Sequence, residues 1–219
     1  MRTTIMRGWM TAVLAGAGAA APALADDLIP PPWNRFGPGT TAQSWDFFAG
    51  PAGGPPDGGL LFNPYGVPNL TPSNPGNWLP FSNLRNHVWA VNGNDPLDFT
   101  IPNDGPDPTA IKDVWLQVTY LGPAPLSFGI NWSSSFGPAV QVGASIITQL
   151  ADGWTHDASL WRFNGCPELE RLRITPPVPG TTIFVDQVVI DTKCYVPAPG
   201  GLGLGAACGV VALRRRRRG

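Results

Sequence analysis

The sequence predicts an all-β fold, an antiparallel two-sheet β-sandwich, for the central part of this 219-residue chain. Between Asp26 and Tyr195 no segment of ten or more residues shows the 3.6-residue period of an amphipathic helix. Short runs rich in β-branched and aromatic residues recur there instead. Glycine and proline separate these runs, as in Gly50–Gly59 and Asn103–Pro108, and both residues interrupt helices and favour turns.

The first 25 residues have the pattern of a secretory signal peptide. Arg2 and Arg7 supply a basic start, Gly8–Ala21 is small and apolar, and Ala23 and Ala25 form an A-x-A cleavage site. A membrane anchor is the alternative, but the apolar run is short and rich in glycine and alanine. We therefore expect a signal helix that the Sec machinery and signal peptidase recognise, and a mature chain that starts just after this site.

Residues 26–43 are expected to form an extended lead-in, because Pro30–Pro32 restrict the backbone. The sandwich is predicted over residues 44–195, with about nine strands separated by turn signals. The predicted strands are Ser44–Phe48, His87–Val91, Leu97–Ile101, Lys112–Leu121, Leu126–Trp132, Ala139–Thr148, His156–Phe163, Glu168–Thr175 and Thr181–Lys193.

The strand Lys112–Leu121 shows the clearest alternation. One face carries Val114, Leu116, Val118 and Tyr120, and the other carries Trp115, Gln117 and Thr119. Because successive side chains of a strand point to opposite faces, we expect the first face on the core and the second half exposed to water.

The last strands resemble those of galactose-binding-like domains and carbohydrate-binding-module jelly rolls. The resemblance rests on Asp152–Phe163, Glu168–Ile174 and Thr181–Thr192. In those families a late strand often carries a hydrophobic-Asp-x-hydrophobic pattern, which corresponds to Phe184–Val189 here. The resemblance implies a jelly-roll sandwich, and it favours that fold more than it favours sugar binding.

The charge of the predicted sandwich is strongly negative, although the whole chain has a net charge of only −1. Seven of the 14 basic residues lie in the signal and the tail, so the other seven face all 15 acidic residues and the domain carries −8. Such a domain repels nucleic acid and anionic membrane surfaces. Nucleic acid is therefore excluded as a partner.

Cys166 and Cys194 lie in the predicted sandwich, and Cys208 lies in the tail. In an oxidising compartment the first two are the expected disulfide. Their loop of 28 residues corresponds to roughly 3.5 kcal/mol in the chain-entropy treatment of a cross-link. Two free buried thiols are the alternative, and a metal site is disfavoured because no C-x-x-C or Cys/His cluster is present.

No catalytic residue is predicted. His87 and His156 lie in no recognisable motif, and no G-x-S-x-G segment is present. Glu168 and Glu170 are two apart on a predicted strand and so lie on one face, which makes them candidates for a glycosidase pair. The interleaved arginines predict a solvated charged face instead. We therefore expect no enzymatic activity.

No metal ligand or cofactor is predicted. The acidic turns Asn92–Asp98 and Asn103–Pro108 hold oxygen ligands at close spacing, which leaves structural calcium as an alternative. Neither turn fits the D-x-[DN]-x-[DN]-G loop, and Asx residues beside glycine and proline make turns far more often than metal sites.

Eight of the nine tryptophans follow the signal. Five lie in predicted strands, where core packing is expected: Trp45, Trp89, Trp115, Trp132 and Trp161. Trp33 and Trp78 lie in predicted loops and are the candidates for stacking on a sugar ring, whose C–H face is apolar.

The tail, residues 196–219, has three parts. Val196–Pro199 interrupts the last strand, Gly200–Leu213 is an uncharged apolar stretch able to form a short transmembrane helix, and five arginines follow. Positive residues stay on the cytoplasmic side, so the arginines hold the end of the chain there. The apolar run is short for a permanent anchor. The expected sorting signal comprises Val196, Pro197, Ala198, Pro199, Arg214, Arg215, Arg216, Arg217 and Arg218.

This tail resembles the PEP-CTERM sorting domain of Gram-negative bacteria, in which a Pro-Glu-Pro-like motif, an apolar helix and an arginine cluster are recognised by an exosortase. Pro197 and Pro199 fall on the motif prolines, and Ala198 stands where the family usually has glutamate. The resemblance implies a transient stay in the inner membrane, removal of the tail near Pro199, and delivery to the cell surface or to an exopolysaccharide matrix.

The expected function is that of an exported, non-catalytic β-sandwich protein with a structural or adhesive role at the cell surface or in the matrix. A carbohydrate-binding module for exopolysaccharide is the first alternative. An exposed row of Trp or Tyr on one sheet face would favour it. A secreted glycan-active enzyme is the second, and it requires two carboxylates in one cleft.

Overall fold

The computed structural model describes residues 27–123 and 126–197. Within these ranges the chain forms thirteen strands and two short 3₁₀ turns, Pro75–Asn77 and Leu126–Gly129, and no α-helix. The strands are β1 (Thr40–Trp45), β2 (Leu61–Phe62), β3 (Asn69–Pro72), β4 (Trp78–Ser82), β5 (Arg85–Asn92), β6 (Leu97–Pro102), β7 (Ile111–Leu121), β8 (Ile130–Ser134), β9 (Val140–Gln141), β10 (Ile146–Gln149), β11 (Thr155–Phe163), β12 (Leu169–Ile174) and β13 (Thr182–Tyr195).

Two antiparallel sheets account for all of these strands, which confirms the all-β prediction. The large sheet has nine strands and runs in the order β10-β11-β7-β13-β1-β2, with β5 of the β4–β5 hairpin paired to β13 and β9 paired to β11. The small sheet has the order β3-β6-β12-β8. The 14-residue β13 lies at the centre of the large sheet and pairs with β7 along most of its length.

The core lies between the two sheets and is rich in aromatic side chains. Trp45 of the large sheet meets Phe99 of the small sheet edge to face, with ring centroids 4.9 Å apart. Trp132 and Phe163 form a second pair across the sheets at 6.3 Å. Edge-to-face pairs stabilise beyond the burial of their surface and have a preferred geometry, so these two pairs favour the observed packing of one sheet on the other.

Three predicted strands differ from the observed ones. β1 begins at Thr40 and ends at Trp45, because Phe47 has a φ of 60° that a strand does not accommodate. Residues Leu126–Gly129 form a 3₁₀ turn before β8. The predicted strand Ala139–Thr148 divides into β9 and β10 at Gly143, whose φ is 78°.

The nine predicted strands do not include β2, β3 and β4, which lie in segments rich in glycine and proline. Pro72 closes β3, and Pro80 lies within β4. A proline removes a backbone donor, so it is tolerated at strand ends and in edge strands, and both of these strands lie at an edge.

The predicted Cys166–Cys194 disulfide is present, with Cα atoms 5.9 Å apart. It links the end of β13 to the segment between β11 and β12.

Two groups of predicted residues lie outside the described residues. They are the signal peptide with Ala23 and Ala25, and the tail residues Ala198, Pro199 and Arg214–Arg218. No helix in the described ranges is both long and apolar enough to cross a membrane.

The second face of β7 is buried, which corrects the expectation that it would be half exposed. Trp115, Gln117 and Thr119 are all buried. The lead-in Asp27–Arg35, here called the N-terminal strap, covers this face. Trp115 Nε1 donates to Ile29 O at 2.7 Å, and Ile29 N donates to Gln117 Oε1 at 3.1 Å.

The β4–β5 hairpin covers the other end of the same face. Arg85, next to the hairpin turn, binds Asp152 at 2.9 Å and Asp186 at 2.5 Å and lies over the ring of Trp154. Trp154 Nε1 in turn donates to Asn83 O at 3.0 Å. The part of the large sheet formed by β7 and the middle of β13 is therefore covered on both faces.

Candidate functional site

The outer face of the small sheet is the polar, uncovered sheet face of the molecule. Thr100 of β6 pairs with Arg171 of β12, which pairs with Ser133 of β8. Asp98 and Arg173 form the neighbouring row. The side chains of Ser133, Arg171 and Arg173 are exposed. Of the two sheets, this one offers an accessible array of hydrogen-bonding groups.

A shallow pocket of about 320 Å³ opens at one end of this face. Its lining residues are Ser133, Ser134, Ser135, Glu168, Leu169 and Arg171. Arg173 is held by Asp98 in a bidentate pair at 2.8 and 2.9 Å. No residue in the described ranges is hydrogen-bonded to the guanidinium of Arg171 or forms an ion pair with it.

The chemistry of this pocket suits a neutral polyhydroxyl ligand. The Arg171 guanidinium offers planar N–H donors, the Glu168 carboxylate offers acceptors, and the serine hydroxyls act as either. The two opposite charges cancel, so the pocket has no preference for a charged ligand. Leu169 supplies an apolar surface of the kind that a sugar C–H face contacts.

Trp78 and Trp33, the predicted stacking residues, are both half-buried. Trp78 opens β4 instead of lying in a loop, and its Nε1 donates to Phe47 O at 3.1 Å. Its ring stacks on that of His87 with centroids 5.9 Å apart, and the ring of Phe48 meets His87 edge to face at 4.6 Å. Phe48 is 60% exposed, so it is the accessible ring of this cluster. Trp33 belongs to the N-terminal strap.

The other tryptophans of the described ranges are buried. They are Trp45, Trp89, Trp115, Trp132, Trp154 and Trp161. The core role predicted for the strand tryptophans is confirmed for Trp45, Trp89, Trp132 and Trp161. It is wrong for Trp115, which is buried under the strap and not between the sheets. The described ranges therefore carry no exposed row of tryptophans on either sheet, and such a row is the observation that would have favoured the carbohydrate-binding alternative.

Glu168 and Glu170 do not share a solvated face, which corrects the sequence interpretation. Glu168 is exposed and precedes β12, whereas Glu170 is 0% exposed and points into the core. Lys112 Nζ lies 3.0 Å from Glu170 Oε2, and Asn103 Nδ2 donates to the same oxygen at 3.0 Å. Lys112 also binds Asn103 Oδ1. The two glutamates therefore do not form a pair across a cleft, which a glycosidase requires.

Burial dominates the ionisation of this buried cluster. It raises the pKa of Glu170 and lowers the pKa of Lys112, and the attraction between them opposes both shifts. Glu170 Oε1 has no hydrogen-bond partner in the described part of the chain. The cluster is enclosed between the sheets, so its role is in the stability and geometry of the core.

A second buried carboxylate anchors the N-terminal strap. Arg35 donates from Nε and Nη2 to the two oxygens of Asp191 at 2.6 and 2.8 Å, and from Nη2 to Asp27 at 2.8 Å. The side chain of Asp191 is 0% exposed. Burial raises the pKa of Asp191 to about 6, although the Arg35 hydrogen bonds oppose that shift.

The acidic turns considered for calcium are occupied by hydrogen bonds within the chain. Asp95 accepts from the amides of Asn77 and Asn92 at 3.1 and 3.0 Å, and these bonds lower its pKa. Asp107 accepts from Thr109, which lowers its pKa likewise. Across the described ranges, no group of three or more His, Cys, Asp or Glu is placed to hold a metal ion.

The two histidines are placed in structural surroundings. His156 of β11 is fully buried on the covered face of the large sheet, with Nε2 3.2 Å from Gln117 Oε1 and Nδ1 3.1 Å from Thr119 Oγ1. The ring of His87 contacts those of Phe48 and Trp78. No known protein family and no curated protein matches this chain. The candidate binding site therefore rests on the geometry of the small-sheet pocket alone.

Proposed function

We propose that this chain is an exported cell-surface or matrix protein, sorted by an exosortase-type system, with a non-catalytic structural or adhesive role. The supporting observation is that both predicted cleavage sites lie at the ends of the folded domain and not inside it. Asp27, next to the first site, is already bound by Arg35 and Gln117. At the other end β13 finishes at Tyr195, and Val196, just before the tail motif, is exposed. Both cuts would leave the folded domain whole.

Two further features support export. The Cys166–Cys194 disulfide suits an oxidising compartment. The acidic charge of the domain keeps it soluble and away from anionic membranes. The proposal includes a jelly-roll arrangement of the two sheets, a signal helix before Asp26, and a short transmembrane helix within residues 200–213.

Intact mass of the protein recovered from its own cells tests the sorting proposal. We expect a chain that starts near Asp26, ends near Pro199 and is two hydrogens lighter than the reduced mass. Replacing Arg214–Arg218 by glutamine should leave the tail uncut, because the positive stop is lost. Ala198→Glu, which restores the usual motif residue, should raise the processed fraction, with Ala198→Gln as the matched control. A surface-fraction mass that still contains Arg214–Arg218 would contradict the proposal.

Binding of neutral exopolysaccharide is a second candidate function, favoured by the uncommitted Arg171 guanidinium in the small-sheet pocket. Arg171→Ala and Glu168→Gln are expected to weaken binding at least tenfold, because a hydrogen bond to a charged group contributes about 1.5–3 kcal/mol. Isothermal titration calorimetry with a neutral exopolysaccharide from the organism that makes this protein measures the loss of affinity.

Arg173→Ala is the matched control for that experiment, because Arg173 lies on the same face of β12 and is already held by Asp98. Its binding should equal that of the unaltered protein. Equal losses in all three variants would indicate a general disturbance of this sheet face, and binding only to acidic polysaccharides would contradict a neutral-sugar pocket.

A further inference from the structure

One edge of the large sheet is open. β10 pairs with β11 and ends the sheet, and all four of its residues are exposed. From Val140 to Ala151 the chain contains no charged residue and no proline. Ile146 and Ile147 are 47% and 43% exposed. Uncharged, apolar edge strands are sites where another strand can be added.

The backbone of β10 presents free hydrogen-bonding groups at this edge. Leu150 N donates to Trp154 O at 2.8 Å. Leu150, which follows the last paired residue of β10, therefore points its backbone N–H towards the β11 side. In an antiparallel ladder such positions alternate with ones whose N–H and C=O point to the other side. Counting back along β10, the N–H and C=O groups of Ile147 and Gln149 point away from β11.

Of the other strands that end a sheet, β8 closes the small sheet, and β2, β3 and β4 are protected. β2 has only two residues, and the ring of Phe36 packs against Phe62 at 5.4 Å. The free side of β3 is bridged by Gly54, which pairs with Leu70. β4 contains Pro80. Short length, coverage and proline are the usual protections of an edge strand, and β10 has none of them beyond the irregularity at Gly143 that separates it from β9.

We propose that β10 is a self-association edge through which two copies of this chain pair antiparallel about a two-fold axis. The register that uses every outward group places Ile147 opposite Gln149 of the second copy. Thr148 then lies opposite Thr148 of the second copy. This register forms four backbone hydrogen bonds and makes one continuous sheet from two molecules.

A second copy suits this edge better than an unrelated partner for two reasons. An edge strand paired about a two-fold axis is complementary to itself, so both copies use the same residues. The acidic domains repel one another elsewhere, whereas this segment carries no charge. A contact of four residues per copy is smaller than the roughly 1,000 Å² of a stable interface, so the association is weak and depends on concentration.

Sedimentation velocity on the processed protein, over a hundredfold range of concentration, tests the inference. We expect reversible dimers at the highest concentrations, and more of them at high salt because repulsion between the acidic domains is screened. This measurement is made on purified protein, so its outcome does not depend on the sorting or sugar-binding proposals.

A cross-linking variant tests the register. Thr148→Cys would place two thiols opposite each other at a position where the Cα atoms of antiparallel strands lie about 4.5 Å apart, within disulfide range. A chain that ends at Pro199 lacks Cys208, so mild oxidation should give a covalent dimer through the introduced thiols. Val178→Cys, at a similarly exposed residue in the β12–β13 loop, is the control. Equal cross-linking in the two variants would overturn the register.

Two further variants test the edge itself. Thr148→Lys opposes like charges at the two-fold axis. Gln149→Pro removes an outward backbone donor and keeps the backbone bonds to β11, and the bond it loses there is the side-chain one from Gln149 Nε2 to Thr155 Oγ1 at 3.0 Å. Each should weaken dimerisation at least tenfold while the melting temperature changes little. Val178→Lys should have no effect. A protein that stays monomeric at every concentration, or dimers that persist in both edge variants, would overturn the proposal.

Discussion

Replacing Lys112 by methionine is expected to lower the free energy of unfolding by about 3–5 kcal/mol, the usual loss when one partner of a buried ion pair is removed. Glu170 would remain fully buried, with only Asn103 to bind its carboxylate. Urea unfolding of the oxidised protein at pH 7 measures the loss.

The loss in Lys112→Met should depend on pH with a definite sign. Burial already raises the pKa of Glu170, and removal of Lys112 raises it further. A carboxyl group whose pKa is higher in the folded than in the unfolded state contributes stability at low pH that is lost as pH rises through the folded pKa. The variant should therefore lose less stability relative to the unaltered protein at pH 5 than at pH 8. An equal loss at both values would show that lost packing, not charge, is the cause.

The double variant Lys112→Met/Glu170→Leu is the control for this experiment. Apolar replacements of a whole buried pair are often neutral or stabilising. The double variant should therefore recover most of the stability that Lys112→Met loses. If it is as unstable as the single variant, the interaction between the two side chains is not what stabilises this part of the core.

Arg35→Met is expected to cost about 3 kcal/mol, because it leaves Asp191 as an unpaired buried charge. It should also detach the N-terminal strap. Hydrogen exchange of the strap amides should then accelerate, and Trp115, which the strap covers, should become accessible to quenchers. Since the pKa of Asp191 is about 6 with Arg35 present and rises without it, the loss should grow between pH 5 and pH 8.

Arg162→Met is the matched control for the strap experiment. Arg162 also forms a bidentate pair, with Asp113 at 2.7 and 3.0 Å, but its side chain is 34% exposed. Ion pairs at the surface contribute up to about 1 kcal/mol. A loss in Arg162→Met as large as that in Arg35→Met would contradict the importance that we assign to burial of Asp191.

A strand and its core face could be predicted where apolar and polar residues alternate along a short segment of the sequence. The alternation along Lys112–Leu121 predicted both the strand and its core face. The other face could not be assigned from this pattern, because Trp115 and Gln117 are covered by a segment some 86 to 90 residues away in the chain. Contacts over such distances leave no periodic signal in the sequence.

The buried ion pair did leave a signal. Glu170 shares its face of β12 with Leu172 and Ile174, and Lys112 shares its face of β7 with Val114. The same period of two that identifies the apolar core indicates that both charges lie inside it. The arginines that alternate with Glu170 and Leu172 led instead to the prediction of a solvated face for Glu170, which is wrong. The small-sheet pocket could not be predicted in this way, because Ser133 and Arg171 meet only when β8 pairs with β12.

The position of the disulfide determines which strands would bear tension if the chain were pulled from its two ends. A force that reaches Cys166 passes directly to Cys194 through the sulfur atoms, so β12 and nearly all of β13 lie outside the stretched path. The 28 residues of that loop represent roughly 95 Å of extended chain at about 3.4 Å per residue. That length stays stored while the bond is intact and is released on reduction, so a surface-held copy of this domain would lengthen in two stages.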